Sequence, residues 1–540
     1  MSADTRRIAY FLAIVGACAV AVLVRVPAIA PSYLWLDDQW VAVLVRDASI
    51  RDLITFAPPV PFPFIFLLKA ITAVFGDSPA ALQAVPLLAS LALVPATAAL
   101  AQRITDSRAV AVTAAMFIAA DPELARYSVR VKPFVLDALA TVLIAWVFVA
   151  AIRRPSGPAL SRLGLVAAVS LLFSFATTIS GAVFVHVAAF VAVVVVLRRQ
   201  PIESPYLLWG ALYACAIFDL LALSVFAFTA RAHTTVTMFS YWKDFYLPLE
   251  SVPLAWNFLA SKGVAVFAGT VPGLAPLPTL TLVGFGTLAL VANPRTRTAA
   301  LSIAAVFGSL LVVSALEYYP AGGGRTDLFT HPLSAMLAAA GLHAMASILP
   351  AAATSLRPTI VALAGSAGIA VIAVIAVIAV IAPSRLVSYP RAGDRDVIEH
   401  ATASLSPEDT VVIYPWSNWA VALYAGWPAH LSAEPSSTNG FYAVPDRPRT
   451  LLLREERDGA SFRSSAAVVT SQLDELLSTG VPSRIYLIAT RTEERPLAYI
   501  RRGLENRGYA RASSYGHDWA TFDVFERRAT ANGTAPVAAP

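Results

Sequence analysis

The sequence predicts a polytopic α-helical membrane protein of about eleven transmembrane helices, followed by an α/β domain outside the membrane. Three observations lead there. The 540 residues are 57% hydrophobic and only 14% charged, far from the balance of a soluble globular domain. Long apolar runs recur between residues 8 and 382, separated by short connections that carry arginine. After Pro383 charged residues, proline and short strand-like runs return.

The apolar runs place spans near 8–27, 80–102, 108–124, 133–152, 163–179, 181–198, 206–229, 272–292, 299–319, 331–349 and 359–382. The first follows Arg6-Arg7 and precedes Ala28-Ile29-Ala30, so a cleaved signal peptide competes with a retained helix; its length and the many later spans favour retention. The connections bearing Arg6-Arg7, Arg103 and Arg108, Arg153-Arg154 and Arg162, Arg198-Arg199, Arg295 and Arg297, and Arg357 alternate onto one side, which the positive-inside rule makes cytoplasmic. The loop 28–79, the loops around 125–132, 230–270 and 318–330, and everything after 383 then lie outside. Within the first of these, Pro61 to Phe75 is short for a span and reads as a helix lying in the membrane interface. The span ending near Asp121-Pro122 is also short, and is expected to open into a water-accessible cavity on the outer face. Val371 to Ala382, four copies of Val-Ile-Ala, reads as a lipid-facing helix.

Residues 1–388 are therefore assigned to the transmembrane domain, 389–527 to the extracytoplasmic α/β domain and 528–540 to a disordered tail. In the α/β domain, strand-like runs cover Thr410 to Tyr414, Thr450 to Leu453, Arg484 to Thr490 and Ala520 to Phe525, with a helical pattern over Ser464 to Leu477. Its aromatic group Tyr414, Trp416, Trp419, Tyr424 and Trp427 forms either the domain core or a sugar-stacking surface.

Several function classes are set aside. The net charge of +6 is spread as short Arg pairs between apolar runs, a topology signal and not a nucleic-acid footprint. Cys18 and Cys215 both sit in apolar runs, so neither a disulfide framework nor a Cys-based metal site is expected. His186, His233 and His331 lack metal-ligand spacing. No metal and no cofactor is expected. Gly322 to Gly324 follows no strand and reads as a tight turn, not a nucleotide loop.

The informative polar residues gather in four outer-face segments. These are the loop with Asp37-Asp38; the run Arg126 to Asp137 with Tyr127, Arg130 and Lys132; the segment Tyr241-Trp242-Lys243-Asp244; and Tyr318 to Pro332, which holds Tyr319, Arg325 and Asp327. Brought together by a bundle, a carboxylate can take the proton of an acceptor hydroxyl while Arg and Lys hold a phosphate leaving group. That arrangement suits displacement of a lipid phosphate from a sugar carbon, with Tyr127, Tyr319, Lys243 and Asp327 lining the substrate cavity. Each group also has a structural reading. The aspartates can cap a helix beginning near Gln39, and Arg130 and Lys132 can reach to lipid headgroups beside a helix start at Pro133.

At Leu36-Asp37-Asp38-Gln39-Trp40, Pro58-Pro59, Tyr127-Ser128-Val129-Arg130-Val131-Lys132-Pro133-Phe134 and Tyr319-Pro320-Ala321-Gly322-Gly323-Gly324-Arg325, in that order, the chain resembles the GT-C superfamily of membrane glycosyltransferases. It looks most like the branch with protein O-mannosyltransferases and lipid A aminoarabinose transferase, family 39 and relatives. The resemblance implies a GT-C-like helical domain, a polyprenyl-phosphate sugar as donor, and an acid of the first external loop as general base. Asp37 matches the first acid of the family motif and inherits that role; Asp38 stands where the family usually has glutamate. Arg130 and Lys132 match the basic positions near the donor phosphate; Arg325 is a looser match, assigned to phosphate or acceptor binding.

The expected function is thus an inverting hexosyl- or pentosyltransferase of the cytoplasmic membrane, moving a sugar from polyprenyl phosphate to a glycan, lipid or protein acceptor of the cell envelope. Two alternatives are a transporter or flippase of lipid-linked sugars, and a non-catalytic membrane scaffold whose outer domain binds glycan. The chain shows no internal repeat, which speaks against the transporter.

Overall fold

The computed structural model describes residues 2–29, 34–56, 60–153, 241–267, 270–348, 393–433, 440–454, 457–458, 461–462, 466–478, 480–490, 494–517 and 520–528. Along the chain these form α1 (Ala3–Arg25), α2 (Leu36–Asp47), α3 (Ile50–Phe56), α4 (Phe62–Phe75), α5 (Pro79–Thr105), α6 (Arg108–Ala120), α7 (Pro122–Tyr127) and α8 (Phe134–Arg153). They continue with α9 (Val252–Phe258), α10 (Pro276–Ala292), α11 (Arg297–Ala315), α12 (His331–Ile348), α13 (Asp394–Ser404), α14 (Asn418–Tyr424), α15 (Ala466–Ser478) and α16 (Glu494–Glu505). The strands are β1 (Thr410–Ile413), β2 (Ala429–Ala433), β3 (Phe441–Pro445), β4 (Thr450–Leu452), β5 (Arg457–Asp458), β6 (Ser461–Phe462), β7 (Arg484–Thr490), β8 (Tyr509–His517) and β9 (Ala520–Arg527). The described residues group into two compact units. The first draws on Met1–Ala30, Pro59–His233 and Trp242–Ser388, the second on Pro31–Pro58, Thr234–Tyr241 and Tyr389–Pro540.

The first unit is helical. Asp4–Ala28, Pro79–Thr105 and Arg297–Ala315 are long and apolar enough to cross a membrane; Phe62–Phe75, Arg108–Ala120, Phe134–Trp146 and Pro276–Ala292 are shorter apolar helices. The runs expected at 163–179, 181–198, 206–229 and 359–382, with the Val-Ile-Ala repeat, lie outside the described residues. Helix α4 starts after Pro61, with Pro63 in its first turn, and stops at Gly76, whose φ of 80° no other residue adopts readily. The 108–124 run breaks early, because Pro122 cannot continue α6 and holds the residue before it extended. Asp121 accordingly takes φ −62°, ψ 118°, and its carboxylate accepts the N–H groups of Glu123 and Leu124, so the chain restarts as α7.

Helices α10 and α12 pack backbone to backbone. A Cβ on Gly286 would meet the Leu337 carbonyl oxygen at 1.8 Å, and one on Gly341 would meet the Leu282 carbonyl oxygen at 1.9 Å. In lipid, where helix association gains little from the hydrophobic effect, such small-residue contacts are what lets helices approach closely.

The second unit is built on a five-stranded sheet of order β4-β1-β7-β9-β8. Strand β1 runs parallel to β4 and β7, and β9 pairs antiparallel with β7 and β8. Alternation along the central strands separates two cores. Val412, Ile485 and Leu487 face Val469, Leu473, Ile500 and Leu504 of α15 and α16. Val411, Ile413, Tyr486 and Ile488 face Val397, Ile398, Ala420 and Val421 of α13 and α14.

Helices α2 and α3 belong to this second unit, although sequence order assigns them to the loop 28–79 of the transmembrane domain. Helix α2 packs on α14, and Arg46 donates to the carbonyls of Ala422 (2.6 Å) and Leu423 (3.2 Å), near the C-terminal end of α14. The Phe56 ring lies 5.4 Å from Phe441 of β3, which Trp419 meets edge-on at 5.5 Å. The boundary at 388 follows the chain, whereas the packing joins 34–56 to the sheet.

Gly286→Ala or Gly341→Ala is expected to cost about 1–3 kcal/mol or more through overpacking against main chain that has nowhere to move. Gly284→Ala, whose added methyl meets nothing within 4 Å, is the neutral control. Thermal unfolding of the detergent-solubilised proteins checks both.

Candidate active site

The first unit contains a buried polar network at the end of α1. Arg25 is fully buried. Its guanidinium donates to Ser90 Oγ of α5 at 2.6 Å and to the carbonyls of Ala119 and Ile118 at 2.5 and 2.8 Å. Those carbonyls close α6 and have no intrahelical partner, so a cation there satisfies them and the helix dipole together. The charge of Asp121 acts on the same guanidinium. While Asp121 Oδ1 caps α7, its Oδ2 accepts from His331 Nδ1 at 2.7 Å, both side chains being buried. One carboxylate thereby joins α1, the α6–α7 junction and the start of α12.

The connection into α12 turns on Gly322 and Gly324, with φ of 73° and 71°. A Cβ on Gly322 would meet Lys262 main chain at 2.6 Å, and one on Gly323 would meet the Trp242 ring at 2.8 Å. The N–H groups of Gly322, Gly323 and Gly324 bear on the carboxylate of Asp327, whose oxygens close no well-formed hydrogen bond with them. Burial pushes the Asp327 carboxyl up to about 7, against the opposing pull of His331 and the glycine N–H groups. The triglycine is therefore a tight turn wrapped around the chain's own acid. Tyr319 closes the turn by donating its hydroxyl to the Thr326 carbonyl at 2.8 Å.

The charges of three guanidinium groups act on Tyr127. Burial pushes its phenol up, while Arg325, Arg126 and Arg130 pull it down. Arg126 lies 5.6 Å over the Tyr127 ring, Arg325 lies 4.9 Å over Trp242, and Phe134 meets Tyr127 edge-on at 5.7 Å. Arg130 and Lys132 are buried, 5% and 8% exposed, on a tight turn in which Lys132 N–H donates to the Arg130 carbonyl at 2.7 Å. The segments expected to supply Tyr127, Arg130 and Arg325 thus do converge. Lys243, by contrast, is exposed on the 3₁₀ turn Lys243–Phe245, and Asp327 faces the glycine turn with 1% of its surface exposed.

Asp37 and Asp38 lie in the second unit. Helix α2 starts at Leu36, earlier than the expected start near Gln39, and its N-cap is Trp35. The Trp35 carbonyl accepts the N–H groups of Asp38 (2.8 Å) and Gln39 (2.9 Å). Neither aspartate is the cap; both occupy the first turn, where the helix dipole favours negative charge. Asp37 is half-buried and Asp38 buried. The Gln39 amide donates to the Leu34 carbonyl at 2.9 Å and to Asp394 Oδ2 at 3.0 Å, and the Leu34 N–H donates to the Tyr424 hydroxyl at 2.8 Å. Burial pushes the Tyr424 phenol up, and the charges of Asp394 and Asp38 add to it. Of the aromatic group, Tyr414 and Trp419 are buried in this unit, as core residues are.

Arg25, Ser90 and Asp394 have no role in the sequence reading, where Gln39 enters only as a helix start and motif residue and Asp121 only as the end of a short span opening into an outer cavity. A signal existed for Arg25: a cation at the edge of an apolar span is costly without a partner. Gln39 and Asp394 had none, being 355 positions apart.

Asp327 generates a pH prediction. An acid whose folded pKa lies above its unfolded value stabilises the fold fully below the unfolded value near 3.8, and loses that contribution as pH rises towards about 7. Wild type minus Asp327→Asn stability should therefore fall between pH 4 and 7, by at most about 1.4 kcal/mol per pH unit, and be flat above. Paired melting curves across that range measure it.

Residues 58–223 match the family model of dolichyl-phosphate-mannose-protein mannosyltransferase. No curated protein sequence matches the chain. Among solved structures, ArnT from Cupriavidus metallidurans in the apo state aligns at 13% identity with a TM-score of 0.55, covering 97% of this chain and 98% of that one. The same protein bound to undecaprenyl phosphate aligns at 12% identity and 0.54, covering 99% and 100%. The Archaeoglobus fulgidus oligosaccharyltransferase, in complex with Zn and sulfate, aligns at 13% and 0.51, covering 95% and 72%. At such identities the likeness speaks for architecture: the chain has the fold of the GT-C membrane glycosyltransferases, and residues 58–223 are similar in sequence to the mannosyltransferase family model.

Proposed function

We propose that the protein transfers a sugar from a polyprenyl-phosphate donor to an acceptor of the cell envelope, outside the cytoplasmic membrane. One observation carries this reading. The stretch that matches the mannosyltransferase model includes Tyr127, Arg130 and Lys132, and Arg130 and Lys132 are buried, whereas headgroup anchors would reach out to the membrane surface. Guanidinium and ammonium groups held away from bulk water form charge-assisted hydrogen bonds to phosphate oxygens, and a lipid monophosphate offers such oxygens.

In the proposed reaction the acceptor hydroxyl oxygen attacks the anomeric carbon, and Asp37 takes its proton. The bond from that carbon to the phosphate oxygen breaks, and polyprenyl phosphate leaves with the electron pair; a single displacement inverts the anomeric centre. Asp38 keeps the first turn of α2 acidic beside the base. Arg130, Lys132 and Arg325 hold the phosphate as its charge grows. Because cations neutralise the leaving group, no divalent ion is required in this scheme. The 389–527 region is assigned to the outer side, where it serves the acceptor. The sugar, hexosyl or pentosyl, is open to assay.

Purified protein given synthetic radiolabelled polyprenyl-phosphate sugars is expected to transfer label, and to keep doing so after exhaustive chelation. Asp37→Asn should lower turnover on the order of a hundredfold or more. Near wild-type turnover in Asp37→Asn together with a dead Asp38→Asn would move the base to Asp38. Arg130→Ala and Lys132→Ala should weaken donor binding as well as turnover; unchanged binding in both returns them to a membrane-anchoring role. Cysteines introduced into 389–527 should label from outside intact cells, and labelling only after permeabilisation inverts the topology.

A further inference from the structure

We propose that Asp394 and Tyr424, from the C-terminal part of the chain, are positioning residues that fix the acid-bearing first turn of α2. This rests on the reading that an acid of that turn serves the reaction. The segment Leu34 to Gln39 carries Asp37 and Asp38, and it is tied on both sides of them. Before the acids, the Leu34 N–H donates to Tyr424 Oη at 2.8 Å, across 390 positions of sequence. After them, the Gln39 amide bridges the Leu34 carbonyl at 2.9 Å and Asp394 Oδ2 at 3.0 Å. Leu34, Gln39 and Asp394 are all 1% exposed or less, so water cannot stand in for these partners.

A helix of this length is marginal by itself, and its first turn frays first. Here Trp35 gives the turn no side-chain cap. The ties to Asp394 and Tyr424 hold the chain on either side of that turn, at residues flanking the acids. The bond from Gln39 to Asp394 is charge-assisted, the stronger kind. Asp394 opens α13, where the helix dipole offsets its buried charge. Tyr424 closes α14, the helix on which α2 lies. The two ties thus come from two different helices of the sheet unit, which sets the rotation of α2 as well as its position. A general base displaced by about an ångström loses up to about a hundredfold in rate.

The test uses the full-length protein with a synthetic polyprenyl-phosphate sugar, reading kcat and donor KM per folded molecule, and hydrogen exchange over residues 34–40. Tyr424→Phe and Asp394→Ala are expected to speed exchange in that peptide and to lower kcat by about tenfold or more, leaving donor KM within about twofold. Asp394→Asn, which keeps an acceptor for the Gln39 amide, should recover most of the loss. Asp523→Asn is the stability control. Its carboxylate is held by Arg501, Ser514 and Thr521 in the same unit, so it should lower the melting temperature without lowering kcat. Unchanged kcat in Tyr424→Phe and Asp394→Ala overturns the proposal, as does Asp394→Asn no faster than Asp394→Ala. If Asp394→Ala does not fold, Tyr424→Phe and Asp394→Asn decide. Asp37→Asn and Asp38→Asn, run alongside, separate the two ideas: full activity in both rejects the acids as participants, whatever the exchange data show for the ties.

Discussion

A guanidinium with none of its surface in water dictates much of the helical unit. Arg25 ends an apolar helix, and moving an unpaired charge out of water costs several kcal/mol even after relaxation. The surrounding chain meets that demand in place. Ser90 supplies a hydroxyl, the broken end of α6 supplies two carbonyls, and Asp121 supplies the opposing charge. The break in α6 is therefore part of the solution, since a continuous helix would have used those carbonyls internally. Removing one member of such a set leaves the others buried and unmatched, at a cost of about 3–5 kcal/mol.

The same carboxylate carries this constraint to the residues with the most chemical potential. Asp121 caps α7, which ends in Arg126-Tyr127, and it holds His331, which follows the turn with Arg325 and Asp327. Two segments far apart in sequence thereby present Arg126, Arg130 and Arg325 to one phenol. Like charges gather at such a point only at a cost in repulsion, and Glu123, 3.8 Å from Arg126, offsets part of it. The triglycine contributes differently. Its N–H groups lower the Asp327 pKa against the effect of burial, and its small residues allow Trp242 and Lys262 to close on the turn.

In the other unit, the acid-bearing helix is held by a sheet that begins more than three hundred residues later in the chain. Its two faces bury separate apolar cores, which makes α13 and α14 rigid supports. Rigid elements locate a side chain more closely than a loop tethered at its ends, and Leu34 to Gln39 is attached to both helices.

Much of this was legible in the residues themselves. Apolar runs located α1, α5, α6, α8, α10, α11 and α12, because a span needs about twenty apolar residues and lipid allows little else. Short β-rich runs located β1, β4, β7 and β9, and Pro122 marked the end of α6. Tyr127, Arg130, Lys132 and Arg325 stood out as polar residues beside apolar runs. What only the tertiary structure decided are the partnerships: Gln39 with Asp394, Leu34 with Tyr424, Asp121 with His331, and α2 with the C-terminal sheet in place of its sequence neighbours. Local patterns report which face of an element avoids water. They carry no record of which distant donor meets which acceptor, because a buried hydrogen bond is specified by where two backbones come to rest and not by the spacing of residues along either one.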